Sequence, residues 1–329
     1  MRLEKLVHAG SLMIRRSLSL GSLIAPAVDG TSVSSRRRPS RLERSLPPVH
    51  RCETVARSAM PYREIVPEPS LRPFVDRFWV QTGDDGADGA ASGAPHRVLP
   101  DGCIDVIVHL DEGGATELVG TMTSAIVVPG GPSEVAAVRF KPGGAFPFLG
   151  LAAAELTDLS VPLLEVDGCA IDLRDVVRDE RDTAPRVAAE LQRRLLARLA
   201  ASVGVPRPDA TVAHAVARLF SESPPPMSEL ARELGWSIQH LRRLFLRHVG
   251  ISPKELGRVA RLQRAVAHLQ QHRDESLASA AAALGYFDQA HMARDFRLLA
   301  GASPTTVRAE ASSIFPIQSL LGRADCRHE

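Results

Sequence analysis

The sequence predicts an α+β multidomain chain: an N-terminal β-rich, barrel- or sandwich-like domain followed by an all-α domain built as a double helix-turn-helix. Three observations carry this reading. Between Tyr62 and about Asp167, short apolar runs alternate with turns rich in Gly and Pro, the pattern of an all-β domain. After Gly168 the apolar period becomes helical. The C-terminal third then contains one segment twice. Met227 to Gly235 aligns with Leu277 to Gly285 at an offset of 50, and after a one-residue insertion Ser237 to Pro253 aligns with Asp288 to Pro304 at an offset of 51.

With 329 residues, 44% hydrophobic and 24% charged, the chain is long enough for about two domains with adequate cores. No apolar run approaches the roughly 20 residues needed to cross a bilayer, so no membrane partner is expected. The four cysteines, Cys52, Cys103, Cys169 and Cys326, lack the close pairs of a structural zinc site and fit a reducing cytoplasm. No metal and no cofactor is expected. The net charge of +2 conceals a division: residues 1–60 carry net +7, residues 61–205 net −9, and residues 206–310 net +4. A basic C-terminal domain behind an acidic middle points to a phosphate-bearing partner for that domain alone.

Residues 1–59 are dominated by Ser and Arg, with runs such as Ser34-Ser35-Arg36-Arg37-Arg38. They are expected to form a disordered basic extension. Arg15-Arg16 before Ser17-Leu18-Ser19-Leu20 faintly resembles a twin-arginine export signal, but Gly21, Ser22 and Pro26 break its apolar part. Translated upstream sequence, with Met60 as the native start, is the better reading. Deleting residues 1–59 is therefore expected to leave the melting temperature and specific affinity unchanged. A drop in either at fixed salt would show that the segment belongs to the fold.

Residues 60–168 form the β-rich sensor or regulatory domain. Val98-Leu99 leads through Pro100-Asp101-Gly102 into a strand whose Ile104, Val106, Val108 and Leu110 face one way. Cys103, Asp105, Ile107 and His109 face the other. Strands follow at 117–119, 124–128 and 135–140, and Phe146 to Leu156 reads as a short apolar helix. The glycine pairs match neither a Walker nor a dinucleotide-binding spacing, so they are hairpin turns. Residues 169–205 read as a helical linker, with Val187, Leu191, Leu195 and Leu199 at spacings of four. The boundary falls at Val203 to Pro208, and 311–329 form a flexible tail.

Each copy of the repeat is a short helix, a turn pinned by Gly235 or Gly285, and a second helix capped by Ser237 or Asp288. That plan places a second helix in a major groove. Between the copies, Pro253 to Gln271 forms a longer amphipathic helix. The stretches Leu-Gly-Trp-Ser-Ile-Gln-His-Leu-Arg-Arg-Leu-Phe (234–245), Leu-Gly-Tyr-Phe-Asp-Gln-Ala-His-Met-Ala-Arg-Asp-Phe (284–296) and Gly-Ala-Ser-Pro (301–304) resemble the AraC/XylS family of bacterial transcription regulators. Residues 61–105, ending Arg-Val-Leu-Pro-Asp-Gly-Cys-Ile-Asp, are similar to the N-terminal domain of one subgroup.

The resemblance implies a non-enzymatic, sequence-specific regulator, activator or repressor, acting in the cytoplasm on double-stranded promoter DNA. Its groove-facing positions would be Ile238, Gln239, Arg242 and Arg243 in the first unit, and Gln289, Ala290, Ala293 and Arg294 in the second. Arg suits guanine O6/N7, Gln suits adenine N6/N7, and Ala can meet a thymine methyl. A small-molecule effector, a second copy of the chain and, for an activator, RNA polymerase are candidate partners. Asp105 and His109 are candidate effector-binding residues, although a surface ion pair between them is the commoner arrangement. Leu230, Leu234, Leu241, Leu244, Phe245, Leu284, Met292 and Phe296 should form the core. Trp236 and Tyr286 should pack rather than stack on bases, and His240 and His291 should pack or meet phosphates rather than bind metal. The rival reading is an enzyme using Cys103 with Asp105, His96 and His109 nearby.

Overall fold

The computed structural model describes residues 62–82, 95–129, 133–166, 169, 176–177, 183–201 and 209–310. The readings of 1–59, of the 203–208 boundary and of 311–329 as a tail lie outside the described residues.

Six antiparallel strands form the main sheet: β1 (Tyr62–Ile65), β2 (Val75–Gln81), β4 (Ile104–His109), β5 (Ala115–Val119), β7 (Val135–Phe140) and β8 (Ser160–Pro162), in the order β1-β2-β7-β4-β5-β8. Two short strands, β3 (His96–Val98) and β6 (Ile126–Val128), pair separately. Alternation sets the faces as expected for β4: Ile104, Val106 and Val108 join Phe78, Val80, Ala136, Val138 and Phe140 in one core. On the opposite face lie Asp105, Ile107 and His109.

Sequence reading did not single out β2, because Asp76, Arg77 and Gln81 interrupt its apolar run. All seven of its residues are nevertheless buried. Arg77 pairs there with Asp76 and Glu64, and a charge that is buried must be paired. The expected helix over 146–156 is shorter. It ends as α1 (Phe146–Leu149) where Gly150 turns left-handed at φ 75°, and a 3-10 turn follows at Ala153–Glu155.

The helix α2 (Ala184–Ala201), read from sequence within a linker, is the second layer of the sheet domain. Val187, Ala188, Leu191 and Leu195 are buried in the core of β2, β4 and β7. Its fourfold-spaced stripe thus covers the sheet, which leaves those residues no apolar face for a second copy of the chain.

The C-terminal domain begins with α3 (Ala210–Phe220), capped by Asp209, whose carboxylate accepts from the amides of Thr211 and Val212. Then come α4 (Met227–Glu233), α5 (Ile238–His248), α6 (Pro253–Gln271), α7 (Leu277–Ala283), α8 (Gln289–Leu299) and α9 (Pro304–Ala309). The long helix α6 is shared between two cores. Its first half gives Leu256, Val259 and Ala260 to the core around Leu241 and Phe245. Its second half gives Leu262, Ala265, Val266 and Leu269 to the core around Met292 and Phe296. Nineteen residues of α-helix are about 28 Å long, close to the ~34 Å pitch of one DNA turn. Among the described residues, no helix is long and apolar enough to cross a membrane.

Candidate nucleic-acid interface

The two repeats fold by the same local rules. Gly235 and Gly285 sit at φ 68° and 72°, where a side chain would be strained. Each permits the same pair of helix-ending bonds. Gly235 N–H donates to Arg232 O and Trp236 N–H to Ala231 O; Gly285 and Tyr286 repeat this to Ala282 O and Ala281 O. Both are Schellman closures. Next, Ser237 Oγ accepts from His240 N–H at 3.1 Å and Asp288 Oδ1 from His291 N–H at 2.6 Å, starting α5 and α8.

Of the eight residues expected to face a groove, Ile238, Gln239, Arg242, Arg243, Gln289, Ala290 and Arg294 are exposed; Ala293 is half-buried. The opposite faces of these helices are spent on packing, with Leu241, Phe245, Met292 and Phe296 fully buried and Leu234, Leu244 and Leu284 at the margins. Trp236 and Tyr286 stand edge-on to His240 and His291, at 4.6 and 5.4 Å between ring centroids. Tyr286 is also covered by Arg261, 4.6 Å above its ring, and burial pushes its hydroxyl pKa up to about 12. These four rings pack.

The arginines differ in how they are held. Arg242 takes no hydrogen bond among the described residues, although its charge helps hold Glu255 below the usual carboxylate range, after the hydrogen bond from Ser252. Arg243 donates to His240 Nδ1 at 3.0 Å. Arg294 folds back on its own helix, its Nε donating to Ala290 O at 3.3 Å. Helix α8 is anchored from behind by Asp295, which is 4% exposed and bridges Arg258 at 2.8 Å and Arg261 at 3.0 Å, both on α6.

Sequence reading missed Phe287. It is the one residue by which the second copy exceeds the first, it precedes the cap of α8, and it is 92% exposed. The insertion itself was the available signal.

The sheet domain touches both repeats at matching places. Thr121 Oγ1 donates to Val249 O at 2.5 Å and Thr157 Oγ1 to Gly250 O at 2.8 Å, at the end of α5. At the end of α8, Ala125 N–H donates to Leu299 O at 2.7 Å and Arg97 to Ala300 O at 3.0 Å. Between them Gln263 of α6 donates to Pro100 O at 2.6 Å, and Leu99 enters the core of the second repeat.

The structure does not bring Asp105 and His109 together as an ion pair. Asp105 is buried, bonded to Arg139 at 3.0 Å and to Trp79 Nε1 at 3.3 Å, and burial raises its pKa against the pull of Arg139. Spacing along β4 could not show these partners, because both lie on other strands. His109, half-buried, meets Glu117 of β5 at 3.3 Å.

That bond raises the His109 pKa above 6.5 and lowers the Glu117 pKa below 4.5. The pair's stabilisation is therefore fully present between those two ordinary values. It is lost as pH rises through the His109 pKa or falls through that of Glu117. At this exposure it amounts to less than about 1 kcal/mol. Thermal melts from pH 5 to 9 should show a small high-pH loss in the wild type that Glu117→Gln removes; an unchanged limb in the variant would place the loss elsewhere.

Two helix-turn-helix units, each exposing the face of its second helix and joined by one helix about as long as a DNA turn, define a DNA-binding transcription regulator. Residues 230–310 match a family described as a helix-turn-helix domain, and residues 63–162 match a domain of unknown function (DUF6597). With the duplicated motifs and their order, the match makes residues 230–310 an AraC-type helix-turn-helix domain. No curated protein sequence matches it.

Among solved structures, the chain is similar to ToxT from Vibrio cholerae O395, at 9% identity and a TM-score of 0.33, covering 66% of this chain and 96% of that one. It is also similar to ToxT from V. cholerae strain SCE256 with an unsaturated fatty acid bound, at 11% identity and a TM-score of 0.34, covering 70% and 94%. At those scores the likeness does not extend to ligand or mechanism.

Proposed function

We propose that this regulator reads two adjacent major-groove segments on one face of promoter DNA, α5 in one and α8 in the next. The observation that carries this is α6, one continuous helix whose two halves are core to the two repeats. The unit α5 is the main reader, because Gln239, Arg242 and Arg243 offer polar groups to base edges. The unit α8 contributes apolar contact: exposed Phe287 and Ala290 at its start suit thymine methyls, with Gln289 as its polar reader. Selecting duplexes from a random pool with the full chain should yield two blocks of base preference about 10 base pairs apart. Enrichment of a single block would refute the two-segment reading.

The sheet domain acts on this reading by holding the C-terminal ends of α5 and α8 through Thr121, Thr157, Ala125 and Arg97. Freeing those ends should weaken DNA binding, since the tilt of each reading helix on α6 is then less well set in advance. The double variant Thr121→Val with Arg97→Ala, distant from the reading faces, is expected to lower affinity about 5- to 150-fold, the usual range of coupling between sites. Base preferences should be unchanged. Unaltered affinity in a folded double variant would remove the sheet domain from the mechanism.

A small-molecule effector would meet the sheet face that carries Asp105 and His109. His109 is the more accessible group there, whereas access to Asp105 requires displacing Arg139. An enzymatic use of Cys103 is disfavoured by its environment. The thiol is buried, and that burial, reinforced by Asp101, holds its pKa well above the usual range, so the nucleophilic thiolate is suppressed. Homodimer formation and contact with RNA polymerase rest on the family alone.

A further inference from the structure

The end of α6 carries a group of side chains that DNA reading does not use. His268 and His272 lie one helical turn apart, their rings stacked with centroids 4.2 Å apart and planes 24° from parallel. The chain leaves the helix at His272, with φ −115° and ψ 67°, and turns back so that Glu275 N–H donates to His272 O at 3.3 Å. This turn returns Glu275 to the histidines: its Oε2 lies 2.5 Å from His268 Nε2. One ligand atom from each of the three residues lies within 4.8 Å of the others.

We propose that His268, His272 and Glu275 form a binding site for a divalent transition-metal ion of the zinc class. Two of the three residues already have their other ligand-type atom hydrogen-bonded, as ligands of a metal centre do. His272 Nδ1 donates to His268 O at 3.0 Å, which leaves its Nε2 as the lone-pair nitrogen. Glu275 Oε1 accepts from Ser279 Oγ at 2.6 Å, which leaves Oε2 for the ion. Two imidazoles and one carboxylate suit zinc, cobalt, nickel or copper rather than magnesium or calcium. Zinc bonds of about 2.0–2.2 Å in a tetrahedral site hold ligand atoms roughly 3.4 Å apart, so the ion would part Glu275 Oε2 from His268 Nε2 and leave a fourth position open. His272 is exposed and His268 and Glu275 are half-buried, so the three side chains lie at the surface, where the rings can turn from their stack toward an ion.

The ion would tie the last turn of α6 to the loop that starts α7, the entrance of the second repeat only. The corresponding loop of the first repeat, Ser221 to Pro226, contains no histidine.

Metal-free full-length chain should be titrated with Zn²⁺ by calorimetry and with Co²⁺ by visible absorption, alongside His272→Ala and Glu275→Gln. The chain has 11 histidines, so the comparison with the variants is what decides. One site weakened at least tenfold in both variants is expected, with a cobalt absorption band that the variants lose. Zinc should also raise the melting temperature of the wild type but not that of His272→Ala. Equal binding by wild type and both variants, or no binding by the wild type, would overturn the proposal.

Discussion

Arg242→Ala and Arg243→Ala are each expected to weaken specific DNA binding by about 1–3 kcal/mol and to relax preference at one base position. Arg294→Ala should do less. The reason is local. Arg242 and Arg243 are both exposed, and neither is bonded to its own backbone, whereas Arg294 is held by Ala290 O and stands beside two alanines. An arginine that touches only phosphate would instead weaken all sequences alike and flatten the salt dependence. Base-substitution profiles for wild type and the three variants, on one selected duplex at one salt concentration, separate these outcomes. A changed profile for Arg294→Ala alone, with uniform scaling in the other two, would reverse the roles assigned to α5 and α8.

Phe296→Ala should destabilise the chain by about 3–5 kcal/mol, the usual cost of truncating a buried phenylalanine. Phe296 is fully buried against Leu262, Val266 and Met292, so the lost ring leaves a cavity between α6 and α8. The adjacent Asp295 holds the same two helices together through Arg258 and Arg261, and loosening one contact should loosen the other. Phe245→Ala, at the equivalent position of the first repeat, should cost a similar amount. Chemical denaturation checks both. A loss below about 1 kcal/mol at either position would mean that its repeat relaxes around the cavity instead of depending on the ring.

The helical half of the molecule was legible because its periods are local. Glycine, cap and apolar stripe recur within a dozen residues, and duplication confirms each copy by the other. The sheet domain was less legible because its decisive contacts are long-range. Nothing beside Asp105 in sequence announces Arg139, and β2 conceals a buried strand behind Asp76, Arg77 and Gln81, two of which find distant partners, Arg77 at Glu64 and Gln81 at Ser133. The helix over 184–201 showed its apolar stripe plainly but not what would cover it, so it read as a linker. Of the eight groove positions, Ala293 stands apart as half-buried, since one residue's rotation about α8 depends on how the helix leans on α6. The His268, His272 and Glu275 group was missed because it forms only when the chain reverses after His272.

The central claim is that α6 fixes two reading helices one DNA turn apart, and a spacing experiment tests it most directly. Five base pairs inserted between the two preference blocks of a selected duplex would rotate the second block to the opposite face of the DNA. Affinity at fixed salt should fall to that of a duplex carrying the first block alone. An affinity unchanged by the insertion would contradict the account.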